Sequence, residues 1–463
     1  MKVIVIGAGV GGLCAARGLL ARGHEVEVYE KGEALRTGGA ALGIYANGVA
    51  ALDALGIRID DLGRRLDSLE MADSDGRPRF TVDVASIDRR LGRQTRGVPR
   101  RDLLLRLAEG LPEQVLRFGA RAESVRSAGR GAEVAFADGS TVRGDAVIGA
   151  DGIHSPLRRA LPGLPPAKAT GWATWQALTP VRHDFTESHR SRCVQGPEGM
   201  CGNMPAGGGL LQWWFDVPWT PDSPAPASPA AMLRDRFARW TDPLVVELLD
   251  RAKDEDLGLY PHFLHEVPKV WGEGAATLLG DAAHAFPPAM AQGANQTIED
   301  ALALTRALGD AGEEVDVPEA LRRYERTRRK GAALASSISS REMVTRNLPP
   351  AAVSRAVPDA LWTWQFRATL SSISTVLRDG APHRPDLGRA LPEGGRVRRG
   401  RSRAFPAVAG RTARHRRKGP GPPRPWPRLR AAPTVSAWPM TSSTQPAPPG
   451  SRPRYGRSTG RRT

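Results

Sequence analysis

The chain has 463 residues, 40% of them hydrophobic, and 66 Lys and Arg against 49 Asp and Glu give it a formal net charge of +17. That excess is local: Gly395 to Thr463 holds 18 Lys and Arg and no acid, which leaves 48 bases against 49 acids before it, so the body is neutral and no specific nucleic acid is expected as a partner. Cys14, Cys193 and Cys201 have no metal-ligand spacing and an odd count, which argues against a disulfide framework or a metal site and for a reducing, cytoplasmic setting.

The apolar start could pass for an export signal, but Gly7, Gly9, Gly11 and Gly12 would break its helix. They suit a strand turning sharply into a helix. Val3 to Ile6 is a β-branched run of the kind buried on both faces, and Gly7-Ala8-Gly9-Val10-Gly11-Gly12 follows it directly. Gly7 allows the turn, Gly9 lets backbone approach a pyrophosphate, and Gly12 lets the helix pack on the strand. The free N–H groups and dipole of that helix start would hold the phosphates. A second strand, Glu25 to Tyr29, ends at Glu30, whose carboxylate would accept both hydroxyls of an adenosine ribose. A bond of this kind contributes roughly 1.5–3 kcal/mol.

Further on, residues 79 to 85 alternate in polarity, Asp138-Gly139 marks a hairpin, and Ala146 to Gly149 is another apolar strand, ending in Asp151-Gly152 and Arg158. Short strand-like runs between Gly171 and Pro218, among them Leu210 to Val217, read as an antiparallel sheet that would form a roof over the bound cofactor. Thr277 to Gly280 leads to Asp281, placed to reach a ribityl hydroxyl. The Pro287-Pro288 pair and Gly293 then shape a loop, and a helix over 294–308 would aim N–H groups at a flavin pyrimidine edge. A long helix follows over about 318–346.

On these residues the chain resembles the FAD-dependent aromatic hydroxylases, single-component flavoprotein monooxygenases of the para-hydroxybenzoate hydroxylase type, over roughly residues 1 to 380. The resemblance implies that Gly7, Gly9, Gly12 and Glu30 bind the ADP half of non-covalent FAD, that Asp151, Gly152 and Arg158 form a motif tied to both FAD and NAD(P)H, and that Gly280 and Asp281 hold the ribityl chain. Gly293, Ala294 and Asn295 follow at the flavin edge. Arg36-Thr37-Gly38-Gly39 looks like the family's flavin-side loop, and Arg100 falls near the FAD phosphates, unless it is a solvated helix-start arginine. The family's chemistry uses NAD(P)H to reduce the flavin and dioxygen to form a C4a-hydroperoxide that an electron-rich ring attacks, so the partners implied are dioxygen and a small aromatic or polycyclic molecule.

The implied architecture is α/β: a Rossmann-like FAD-binding domain from 1–70, 98–165 and 265–345, an inserted antiparallel β-sheet substrate domain from 71–97 and 166–264, a C-terminal helical segment at 346–384, and a disordered basic tail from 385 to 463. The tail's Arg-Pro-Gly bias without acids favours an out-of-frame end of a GC-rich gene over a functional polycation. Pro287 would shape the wall beside the isoalloxazine, and His284 either handles protons there or is a structural hydrogen-bonding group. Trp172, Trp175, Trp213, Trp214 and Phe286 either line an aromatic pocket or belong to the core of the roof sheet. The pocket lacks obvious clamps for a carboxylate, which favours a phenol or polycyclic ring over an aromatic acid. A flavin oxidase or reductase, or a non-catalytic module on the same fold, stands as the alternative, while Gly171-Trp172-Ala173-Thr174-Trp175-Gln176-Ala177 does not fit a halogenase signature. The protein is expected to be a monomer or homodimer.

Overall fold

The computed structural model describes residues 1–161, 163–344 and 350–378. The predicted basic tail lies outside the described residues. Strand β1 (Lys2–Ile6) is the centre of a five-stranded parallel sheet, and its Val3, Ile4 and Val5 are wholly buried, as a β-branched run covered on both faces must be. Its neighbours are Ala146–Gly149 on one side and β2 (Glu25–Tyr29) on the other, in the registers Val3 to Ala146 and Val3 to Val26. The strands Ala276–Leu278 and Leu116–Arg117 close the two edges. Helix α1 (Val10–Ala21) follows β1 and packs on the helix Gly293–Leu308.

Thus four segments far apart in sequence end side by side at the carboxyl edge of one sheet. This is where an open α/β sheet binds its ligand.

The second large element is a seven-stranded sheet, in the order Gly258–Leu264, Lys168–Pro180, Leu210–Pro218, Gly199–Gly207, Arg190–Gly196, Ser68–Asp73 and Pro78–Asp83. It differs from the expected antiparallel roof in one pair, Arg190–Gly196 with Ser68–Asp73, which runs parallel. The predicted alternation at 79–85 stops at Asp83, whose side chain caps a helix over Val84–Leu91 by accepting from Ser86 N–H. The Asp138-Gly139 turn joins two strands of a separate three-stranded sheet.

The strand Leu210–Pro218 splits its side chains between two faces. Trp213, Phe215 and Val217 face Phe237, Trp240 and Leu248 on the helices behind the sheet. Their neighbours Gln212, Trp214 and Asp216 take the other face by alternation. Three helices finish the described chain: Val317–Val344, Ala351–Ala356 and Asp359–Ile373.

Candidate functional site: a dinucleotide cradle at the sheet edge

At the end of β1, Gly7 takes φ +102°, and a side chain there would drive into the Ala150 carbonyl at 2.5 Å. Only glycine serves both needs. A Cβ on Gly12 would lie 1.9 Å from the Gly7 oxygen, so this residue sets how closely α1 approaches the strand. Gly9 is different, because a Cβ there meets nothing within 4 Å, and the same holds for Gly152 and Gly293. Gly152 takes φ +83°, a left-handed backbone that favours glycine on its own account, whereas at Gly9 and Gly293 the protein itself does not demand glycine. A ligand lying against the backbone would.

The helix starts point to the same ligand. Both α1 and Gly293–Leu308 begin without a side-chain cap and without an acid in the first turn, leaving N–H groups and the positive dipole end turned outward. Glu30 follows the second strand, and its two oxygens accept from Ala8 N–H at 2.9 Å and Gly32 N–H at 3.0 Å, which fixes the carboxylate while leaving acceptor capacity on each oxygen.

Across the gap, Arg100 donates to the carbonyls of Arg36 and Gly38, and its charge is felt together with those of Arg36, Asp281 and Glu30. Burial, and next the like charge of Arg36, hold its guanidinium below the ordinary value. Asp281 opens a short helix after Gly280, which at φ 63° and ψ −136° has a backbone suited to glycine. Burial pushes the Asp281 carboxyl up, against the opposing pull of His284 and Arg100. Asp151 is likewise pushed up by burial. Tyr260 lies in the field of Asp281 and Arg100, and burial raises its hydroxyl, yet 45% of its surface is accessible.

Several predicted contacts have other duties. Arg158 is buried, and it donates to the carbonyls of Pro165, Ala282, Ala283 and Glu266, so it clamps the Asp281 helix from within the protein; burial brings its pKa down to about 10. Asn295 is sealed, with Oδ1 accepting from Tyr45 N–H and Nδ2 donating to the carbonyls of Gly43 and Ala291. Its side chain staples two loops, and only its helix-start backbone remains for a ligand. His284 is also sealed, its Nε2 2.6 Å from Asp300 Oδ2, which places it in the core and not beside a substrate.

Trp213 is a further correction. It faces the helices behind the roof and donates to Thr179 Oγ1, whereas Trp214 lies over Gly202 on the cradle side. Trp175 joins Trp213 in that rear core. Trp172 is half-buried at the start of its strand. Phe286 packs with Tyr45 and Phe366, under the C-terminal helix. Pro287 is buried just before the single turn Pro288–Met290, and Ala291 after it has φ 48°, a left-handed conformation found at no other non-glycine among the described residues.

Behind the cradle lies a charged network that the sequence did not reveal. Arg328, fully buried, donates to Asp300 Oδ1 at 2.7 Å, Glu299 Oε2 at 2.9 Å and Gln296 Oε1 at 2.7 Å. Asp300 also accepts from Gly280 N–H, while Glu299 accepts from Asn47 and from the backbone and hydroxyl of Thr375. One arginine thereby ties together the Gly280 turn, the Gly293–Leu308 helix, the helix Ala46–Ala54 and the C-terminal segment.

Two uncapped helix starts, a carboxylate fixed at the end of the second strand, and Gly9 and Gly293 with open Cβ directions are features that FAD would fit. These features define a flavin-binding oxidoreductase with a Rossmann-like core. A family model described as "FAD binding domain" matches residues 1–337. The chain is 31% identical to an FAD-dependent urate hydroxylase of Mycolicibacterium vanbaalenii, over 72% of this chain and 85% of that protein. It is 33% identical to the 3-amino-4-hydroxybenzoate 2-monooxygenase PtnB3 of Streptomyces platensis, over 71% and 84%. The crystal structure of Klebsiella pneumoniae HpxO complexed with FAD and uric acid superposes with a TM-score of 0.74 at 27% identity, covering 80% of this chain and 97% of that one. The chain belongs to the FAD-dependent aromatic hydroxylase family, and it is an FAD-dependent enzyme. No described helix is long and apolar enough to cross a membrane.

Proposed function

We propose that the chain is an NAD(P)H-driven FAD monooxygenase that hydroxylates or epoxidises a small aromatic or polycyclic ring. The balance is one ring C–H, one dioxygen, one NAD(P)H and one proton giving one ring C–OH, water and NAD(P)⁺. Bound FAD would supply hydride acceptance and activation of dioxygen. The protein's part is holding and drying. Gly9 and the start of α1 would take the pyrophosphate, Glu30 the ribose, Asp281 the ribityl chain, and the start of Gly293–Leu308 the pyrimidine edge, where the helix dipole favours the charge gained on reduction. The roof face bearing Gln212, Trp214 and Asp216 would cover the ring and exclude water.

The observation that carries the reading is the pair of uncapped helix starts flanked by Gly9 and Gly293, whose Cβ directions are open. Support also comes from the two curated relatives above, both named as hydroxylating or monooxygenating enzymes of ring substrates.

The test is ring-stimulated NAD(P)H oxidation by the purified, flavin-loaded protein, with oxygen uptake and isotopic oxygen in the product. Oxygen uptake that ends entirely in peroxide with every ring tried would make the protein an oxidase and overturn the proposal.

A further inference from the structure

The roof sheet buries a carboxylate that neither the fold nor the cradle uses. Asp216 is the one charged residue of its strand, with Phe215 and Val217 on either side turned to the rear core. By register it stands opposite Thr174 on one neighbouring strand and Met200 on the other, and Thr174 in turn stands opposite Tyr260. Tyr260 lies in the field of Arg100 and Asp281, so this face of the sheet looks onto the cradle.

The hydrogen bonding of Asp216 is incomplete. Its Oδ1 accepts from the Thr174 hydroxyl at 2.5 Å. The same hydroxyl lies 2.6 Å from His262 Nε2, and since its one proton goes to Asp216, the ring nitrogen must be the donor there. Burial holds His262 down to about 4, so this donor is a neutral imidazole and brings no compensating charge. Among the described residues Asp216 makes no salt bridge, and burial and Thr174 are the influences on its acidity.

Its Oδ2 takes no hydrogen bond among the described residues, yet it is not one of the atoms sealed from solvent, although the residue as a whole is only 3% exposed. A carboxylate offers about four acceptor positions, and buried polar atoms are ordinarily satisfied. An acceptor left bare in this way, on the cradle side of the roof, is suited to a donor carried in by a ligand.

We infer that Asp216 is a substrate-recognition residue, whose free oxygen takes an N–H or O–H of the ring to be oxygenated, with Thr174 and His262 holding the carboxylate in place. The substrate class is thereby narrowed to phenols, aminophenols and ring lactams, and away from aromatic acids, whose carboxylate would meet a like charge. This assignment rests on the monooxygenase reading above.

The experiment uses the full-length, FAD-loaded protein at pH 8, where the Asp216 carboxyl is ionised, and follows the flavin absorbance as rings are titrated in, a binding signal that does not require turnover. The probes are resorcinol and 3-aminophenol against 1,3-dimethoxybenzene, the same ring without donors, with benzoate as the acid. The wild type should bind the donor rings about tenfold or more tightly than the capped ring. In Asp216→Asn that preference should fall severalfold and benzoate should bind better, while Asp216→Glu should restore part of the preference. Equal preference in the wild type and Asp216→Asn, or a capped ring bound as well as the donors, overturns the assignment and leaves the monooxygenase reading standing. If no ring perturbs the flavin or stimulates NAD(P)H oxidation, both fall together.

Discussion

Asp216→Asn also makes a prediction in the absence of any ring. Burial pushes the Asp216 carboxyl from 3.8 up to about 7. The folded state therefore holds this proton more tightly than the unfolded chain does, so its contribution to stability falls as pH rises from about 4 and the penalty is complete above about 7. At about 1.36 kcal/mol per unit, some three units amount to about 4 kcal/mol. Asparagine carries no such penalty. The groups facing Asp216 leave the window clear: His262 is already neutral above about 4, and burial raises Tyr260 and, on the next strand, Cys201. Urea unfolding of the two proteins at pH 5 and pH 8 should show the stability of the variant relative to wild type rising by about 2–3 kcal/mol between those values. Stability curves that stay parallel across the range would refute the reasoning, because they would mean that Asp216 is solvated in the folded protein.

Gly9→Ala should leave the stability of the flavin-free protein within about 1 kcal/mol, since its Cβ meets no protein atom, but weaken FAD binding by about tenfold or more in a fluorescence titration. Glu30→Ala should cost about 1.5–3 kcal/mol of FAD binding, and unchanged affinity would remove the ribose assignment. Arg328→Met strands two buried carboxylates, so a loss of about 3–5 kcal/mol in urea unfolding is expected, with poor flavin retention on purification. A chain ended after Arg378 should bind FAD as the full chain does, whereas one ended after Val344 lacks Thr375 and should not; this is read from the visible spectrum of each.

Much of the cradle was legible because its logic is local. Gly7, Gly9, Gly12 and Glu30 sit on one strand-helix-strand unit, so spacing alone places them. Gly280 and Asp281 were equally readable as a strand end. What failed to be legible depended on partners distant in sequence. Arg158 looks like any basic residue after a turn until the carbonyls of Ala282 and Ala283 arrive beside it. Arg328 stands in a run of arginines whose neighbours are solvated, and nothing near it in sequence says that this one is buried. Trp213 and Trp214 carry the same residue type, and only strand register assigns them to opposite faces. Asp216 did leave a signal, since an acid in the apolar run Leu210 to Val217 contradicts its surroundings and asks for a partner.

The Thr375 contact also sets an order in time. Glu299 receives Asn47 from near the start of the described chain and Thr375 from its end, so this buried carboxylate of the helix Gly293–Leu308 is not fully engaged until the last of these residues has been made. At about 5–20 residues per second, the ribosome takes roughly 15–65 s to travel from the first of these positions to the other. Through that interval the buried network around Glu299 lacks its last partner. The contact that closes the base of the cradle is thus among the last that synthesis can supply.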